Sequence, residues 1–248
     1  MTLLWDGARN VGDLGGLALV AGGETARGRI YRSAAHEWIT GRGWVHARQA
    51  GVTTVVDLRN DMEIGRTSEH PVLDAGATAG ITFVNAPTEN PRDAEFLRQC
   101  GPWLDHPCSW TTNMQMYPEK ISRVLDVVVR ATSPVLIHCA GGRDRTGMIG
   151  SLLLLLAGAA SASIVANYEA GFRGAAEHRG HGWSFDQVAG EWVSSAGEVW
   201  TGDELDAALD DRRPALLDWV ETFDAQSYLT AAGVDSVTRR RLELLLIE

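Results

Sequence analysis

The sequence predicts an α/β protein with a mostly parallel central sheet flanked by helices on both faces. Three observations carry that prediction. Short apolar runs rich in β-branched residues recur at 29–33, 52–58, 81–85 and 135–138. Segments with helical periodicity at 40–50 and 118–131 lie among them, an order that places helical crossovers between parallel strands. The 135–138 run is apolar nearly throughout, as a strand covered on both faces must be. The chain has 248 residues, 45% of them hydrophobic, with no repeat, low-complexity tract or clear linker, so it reads as a single domain spanning 1–248.

In chain order, 17–20 and 29–33 read as two short strands around the Gly22-Gly23 turn. Thr40 caps a helix that runs to Ala50 and is stopped by Gly51. Strands follow at 52–58 and 81–85. Residues 87–115 contain Pro87, Pro91, Pro102 and Pro107 with little periodicity. Long irregular insertions are often functional, so this one is a candidate lid. A helix from 118 to 131 carries proline in its first turn, and the 135–138 strand comes next. A helix to about 157 and another at 161–171 follow. Residues 172–200, rich in Gly, His and Trp, resist assignment. Helices at 205–209, 214–223 and 236–247, the last capped by Asp235 or Ser236, complete a helical C-terminal portion over 161–248.

A net charge of −10 argues against a broad nucleic-acid footprint or an anchor on anionic membranes. The longest greasy run, 148–160, is too short to span a bilayer, so no stable membrane insertion is expected. The N-terminal Met1-Thr2-Leu3-Leu4-Trp5-Asp6 lacks signal-peptide character. With only three cysteines, a reducing, cytoplasmic location is expected.

The most informative stretch is Val135-Leu136-Ile137-His138-Cys139-Ala140-Gly141-Gly142-Arg143-Asp144-Arg145-Thr146-Gly147. A buried strand ends in a cysteine, a glycine-bearing loop follows, and an apolar helix begins. Loop N–H groups and a helix N-terminus together make an anion cradle. The field that holds a phosphate there also suits a thiolate nucleophile. The other cysteines act as controls: six residues on, Cys100 has His106 and Cys108 has Met114, whereas Cys139 has Arg145. In open α/β sheets ligands bind outside the carboxyl ends of strands, and Asp57 and Cys139 both lie at such ends. If their strands are neighbours and parallel, the two residues face one crevice.

The His-Cys-x-x-Gly-x-Asp-Arg-Thr-Gly run resembles the signature of the protein tyrosine phosphatase superfamily, and in particular its bacterial tyrosine and dual-specificity branch. Asn10 to Gly16, Gly28 to Ser33, Val55 to Arg59 and the tail from Ser227 to Ile247 resemble segments of that branch in order, with gaps near 87–115 and 172–212. Two positions depart from it. Its usual N-terminal Arg is Gly12 here, and its usual phosphate-loop Lys is Arg143. Arg143 keeps the charge but substitutes a planar fork for a point charge.

The resemblance implies a tyrosine-phosphatase-like fold and a cysteine-dependent phosphomonoester hydrolase without a cofactor. Cys139 is the expected nucleophile, forming a cysteinyl-phosphate that water hydrolyses. Arg145 is the expected phosphoryl clamp. The backbone of Ala140, Gly141, Gly142 and Arg143 is expected to complete the phosphate loop, and Thr146 to hydrogen-bond the thiolate. His138 belongs to the same loop, more as organiser than base, because strand alternation turns it from the nucleophile's side. Two aspartates compete for the general acid. Asp144 lies inside the loop, with a salt bridge holding the loop as its plainer role. Asp57 lies at its strand end, with a cap or a partnership with Arg59 as its plainer role. Arg59 and Arg32 either extend the positive pocket or pair on the surface. The histidines show no metal-ligand spacing, so no metal is expected.

The expected partner is a phosphorylated substrate: a phosphotyrosine or phosphoserine protein, a phosphoinositide, or a small metabolite such as a sugar or nucleoside phosphate. A catalytically silent phosphate-binding module is a further reading, opposed by the intact Cys139, Asp144 and Arg145. A thiol redox enzyme would need a resolving cysteine near Cys139.

Overall fold

The computed structural model describes residues 3–131, 134–178, 181–186, 188–196 and 200–247. Met1 and Thr2 lie outside the described residues, as do the side chains of His181 and Trp183.

The sheet is built around the apolar Val135–His138 run. Strands β1 (Gly12–Asp13), β2 (Ile30–Ser33), β3 (Thr54–Asp57), β4 (Thr82–Asn85) and β5 (Val135–His138) pair in the order β1-β2-β5-β3-β4. All pairings are parallel except β1 with β2. The centre goes to β5, all four of whose residues are buried. Its register aligns Ser33, Asp57 and His138 in one row, so three strands end together and Cys139 follows at the middle of that edge. The sheet is as expected, with narrower strands; 17–20 makes only the isolated bridges Ala18 to Glu24 and Leu19 to Ala159.

Alternation splits the sheet side chains between two cores. Tyr31, Val55 and Leu136 pack with Trp5, Ile39 and Trp44 beneath helix α1 (Gly41–Gln49). Thr40 caps that helix by accepting from the N–H of Gly43, and Gly51 (φ +87°) ends it. Ile30, Val56, Val135 and Ile137 face the larger core, with Cys139 at its edge. Helices α4 (Pro118–Arg130), α5 (Asp144–Leu156), α6 (Ser161–Ala176), α7 (Gly202–Thr222), α8 (Ala225–Ala231) and α9 (Ser236–Leu245) supply this core. Helix α5 is buried along most of its length, as its Ile149 to Leu156 run demands.

Three expectations change. The candidate lid at 87–115 is not an irregular loop. It contains α2 (Ala94–Cys100) and α3 (Trp110–Met116), and Trp110 and Met114 sit in the main core. Asp93 caps α2 by accepting from the N–H groups of Glu95 and Phe96, which explains how a helix forms among the prolines. The C-terminal portion is not all helical, since β6 (His181–Asp186) and β7 (Glu191–Ala196) pair as an antiparallel hairpin. The segments 205–209 and 214–223 are one helix, α7, with Pro214 inside it. An interior proline costs about 3 kcal/mol, and burial of Leu209, Leu216, Trp219 and Val220 on one face offsets it at roughly 1.5–3 kcal/mol for each large apolar side chain.

No helix among the described residues is long and apolar enough to cross a membrane.

Candidate functional site

The loop after β5 closes against the end of β2. Gly142 has φ +67°, and a Cβ there would stand 2.4 Å from the Ser33 carbonyl oxygen. Only glycine fits such a backbone approach. The loop carbonyls are held from outside. The Ala140 oxygen accepts from the Ala35 N–H at 2.9 Å. The Asn10 amide donates to the carbonyls of Gly141 (2.9 Å), Gly142 (3.1 Å) and Gly171 (2.8 Å). In a planar trans peptide the C=O and the next N–H point in opposite directions. Drawing the Gly141 and Gly142 carbonyls outward therefore turns the Gly142 and Arg143 N–H groups inward, beside the N-terminus of α5. Asn10 does this from φ +52°, a conformation asparagine tolerates better than most residues. Its amide fits because α6 carries Gly174 opposite, where a Cβ would meet Asn10 Oδ1 at 2.3 Å.

Cys139 is buried at the head of this loop. Arg145, in the first turn of α5, donates end-on to both oxygens of Glu63, with Nη2 to Oε1 at 2.6 Å, and approaches Glu89 at 3.4 Å. Glu63 is placed by a capping box, its carboxylate accepting from the Asn60 N–H at 2.9 Å. Glu89 accepts from Asn60 Nδ2 at 3.0 Å and Asn113 Nδ2 at 3.4 Å. Burial alone would raise Glu63, but the charge and hydrogen bonds of Arg145, with the Asn60 N–H and Arg59, together hold the carboxyl below its ordinary value. Burial pushes the Glu89 carboxyl up despite Arg145. A guanidinium has two bidentate edges. Glu63 takes the end-on one, which leaves the Nε edge for a second planar or tetrahedral anion.

Asp144 opens α5 and accepts from Arg143 Nε at 2.8 Å. Burial pushes its carboxyl above the ordinary value, with the nearby Asp105 adding to the shift and Arg143 and Arg145 opposing it. The Arg143 side chain turns away from the cradle. It reaches Asp105 at 3.4 Å and stacks over the Phe172 ring at 4.8 Å, a contact a lysine at this position would make as a point charge and not as a plane. Asp105 also takes Arg212 at 2.7 Å, so it links the 87–115 segment, the loop and α7. The Thr146 hydroxyl is fully buried and has no hydrogen-bond partner.

Two expected residues are brought to the site's floor and not to its face. Asp57 is paired with Arg59, at 2.7 Å to Nη2 and 2.9 Å to Nε. Burial would raise its carboxyl, but His138 and Arg59 hold it below its ordinary value. Arg59 also takes Glu37 at 2.7 Å, so it serves an internal ion network and not a substrate pocket. His138 is fully buried, lies 3.0 Å from His36 Nδ1 and sets Nδ1 3.1 Å from the Cys139 carbonyl. Burial holds both rings down, His36 to about 4 with His138 adding to the shift. His36, Asp57 and His138 form the one group of metal-ligand type among the described residues.

Sequence reasoning missed Asn10, Glu63 and Glu89 as site residues. Asn60-x-x-Glu63 is a capping-box pattern that could have placed Glu63. Glu89 carries no local signal, since its partners come from Asn60, Asn113 and Arg145.

A tyrosine phosphatase family model matches residues 3–248. A putative tyrosine-protein phosphatase of Cupriavidus necator is 29% identical over 180 residues, covering 67% of this chain and 61% of that protein. The triple specificity protein phosphatase PtpB of Mycobacterium tuberculosis is 27% identical over 165 residues, covering 57% of this chain and 60% of that protein. The chain thus spans about three-fifths of the length of these curated relatives. A crystal structure of P. aeruginosa TpbA aligns at a TM-score of 0.40 and 16% identity, covering 83% of this chain and 87% of that one.

Proposed function

Because this chain belongs to the tyrosine phosphatase family, we propose that it is a cysteine-dependent phosphomonoester hydrolase working through a cysteinyl-phosphate intermediate. One observation carries the reading. Cys139 heads a loop whose carbonyls Asn10 draws outward, while Arg145 is held end-on by Glu63 with its other edge free.

In the proposed reaction the substrate phosphoryl group enters the cradle, and two of its oxygens take the free edge of Arg145. The Cys139 thiolate attacks phosphorus in line. The S–P bond forms as the bond to the leaving oxygen breaks, and Asp144 gives that oxygen its proton. Its raised carboxyl suits the role, whereas Asp57 stays ionised on Arg59. Water then attacks phosphorus, Asp144 recovers the proton, and the S–P electron pair returns to sulfur as phosphate leaves. The inward N–H groups stabilise the charge on the equatorial oxygens in both steps. The unpartnered Thr146 hydroxyl is the donor available to the returning thiolate.

The proposed substrates are phosphotyrosine or phosphoserine proteins or a phosphoinositide; the relatives' names, a tyrosine-protein phosphatase and a triple specificity protein phosphatase, support a phosphoprotein substrate. The test is phosphate release from a panel of phosphopeptides, phosphoinositides, nucleotides and sugar phosphates. Wild-type release, lost in Cys139→Ser and Arg145→Ala and blocked by orthovanadate, is expected. Wild-type rates in Cys139→Ser would overturn the covalent mechanism. Release confined to nucleotides or sugar phosphates would move the substrate to small metabolites.

A further inference from the structure

Behind the phosphate loop lies a buried cation that the reaction above does not use. Arg32, on β2, is 6% exposed. Its register partner is Ile137, two residues before Cys139, so it belongs to the nucleophile's face of the sheet. Its Nη1 lies 3.4 Å from the Asn10 Oδ1 and 3.4 Å from the Gly142 carbonyl. Its Nε is buried without a partner. No carboxylate among the described residues comes within 4.0 Å of it. The contrast with its peers is sharp: Arg59 is paired with Asp57 and Glu37, Arg145 with Glu63 and Glu89, and Arg212 with Asp105.

The slot that holds the guanidinium is built for it. A Cβ on Gly171 would stand 2.3 Å from Arg32 Nη1, and one on Gly12 would stand 3.0 Å from Nε. Gly171 belongs to α6 and Gly12 to β1, so two separate elements leave out side chains to admit one guanidinium. Burying an unpaired charge costs several kcal/mol. Burial presses Arg32 down to about 10, and the group that supports its charge is Cys139. The Gly142 carbonyl of the phosphate loop lies 3.4 Å from Nη1, so an anion in the cradle would meet this charge across the loop.

We propose that Arg32 is the resident counter-charge of the phosphate loop, a positioning residue that stabilises the bound phosphoryl dianion from behind and orients the Gly142 peptide without touching substrate. This rests on the phosphatase reading, since it takes the loop to be an oxyanion site. The two make opposite demands on stability and binding. Without an anion the cation is a burden on the fold, and with one it is a partner.

The experiment measures inorganic phosphate and tungstate binding by calorimetry, with thermal melting, in full-length Cys139→Ser and in Cys139→Ser/Arg32→Met. Methionine fills the slot without charge. Oxyanion affinity should fall about ten-fold or more, while the ligand-free Tm stays level or rises, because replacing an unpaired buried ion by an apolar side chain removes its desolvation cost. Unchanged affinity would overturn the proposal. A Tm that drops with the affinity would be resolved by Arg32→Lys in the same background. Retained binding there supports the charge, and binding lost as fully as in Arg32→Met overturns it. No binding to the parent Cys139→Ser would overturn the phosphate-loop reading itself, and the counter-charge with it.

Discussion

Replacing Asn10 tests whether the loop's peptides are aimed from outside. Its amide nitrogen carries two hydrogens and faces three carbonyls at 2.8–3.1 Å, so the three contacts amount to two hydrogen bonds' worth of donor, one of them shared. At about 0.5–1.5 kcal/mol net each, Asn10→Ala loses roughly 1–3 kcal/mol, and more if the freed carbonyls stay dry. Alanine adds a second cost, because position 10 sits at φ +52°, a conformation asparagine tolerates better than alanine. Asn10→Gly removes the amide but not the conformation, so it isolates the hydrogen bonds. For a domain of this size 1 kcal/mol moves Tm by roughly 2–4 °C. The glycine variant should therefore melt about 3–10 °C low, and the alanine variant lower still. Turnover should fall further than stability suggests, since misaimed N–H groups fail chiefly in the transition state. A drop in kcat of about ten- to a hundred-fold with a small change in KM is expected. The assay is steady-state hydrolysis of p-nitrophenyl phosphate beside a thermal melt. If Asn10→Gly keeps kcat within about two-fold while losing the expected stability, the carbonyl-aiming argument is wrong and Asn10 merely ties the N-terminus down.

Asp144→Asn should slow aryl or alkyl phosphates with basic leaving groups by about 10²–10⁴ while barely touching p-nitrophenyl phosphate, whose leaving group needs no proton; equal losses on both would remove Asp144 as the acid, and Asp57→Asn is the control. The buried histidines predict acid sensitivity of the fold. His36 titrates near 6.5 when unfolded and about 4 when folded, so its contribution is full above pH 6.5 and is lost as pH falls through 4, roughly 2 kcal/mol of it by pH 5. Denaturant unfolding of wild type and His36→Gln at pH 7.5 and 5 should show the wild type losing more, and parallel losses would refute the assignment. Gly142→Ala should abolish activity, because its Cβ would strike the Ser33 carbonyl, and an active, stable Gly142→Ala protein would contradict the loop geometry.

Local chemistry was legible in the sequence, and distant partnership was not. The β5–loop–α5 unit announces itself because strand, glycine turn and helix start are consecutive, so apolar period and glycine position report on the same few residues. Asp57 was placed correctly at its strand end, but its role turned on Arg59, two residues on, and on His138 across the sheet, and only register brings the latter near. The segment 87–115 looked irregular because its prolines interrupt period. Its order comes from the Asp93 cap and from Trp110 and Met114 reaching the core. Glu63, Glu89 and Asn10 meet the loop across separations of 82, 56 and 131 residues, beyond any window in which spacing carries information. Arg32 was visible as a charge, but its lack of a carboxylate among the described residues appears only when all its neighbours are in place.

The Asn10 bond to the Gly171 carbonyl spans 161 residues, which bears on synthesis. A ribosome that has released the nucleophile strand and its loop has not yet delivered α6. Until it does, one of Asn10's three acceptors, the Gly174 clearance and the Gly171 wall of the Arg32 slot are all missing. Pairings of such separation form late. The nascent chain therefore carries the whole 139–145 loop before the α6 residues that close its outer side have been made.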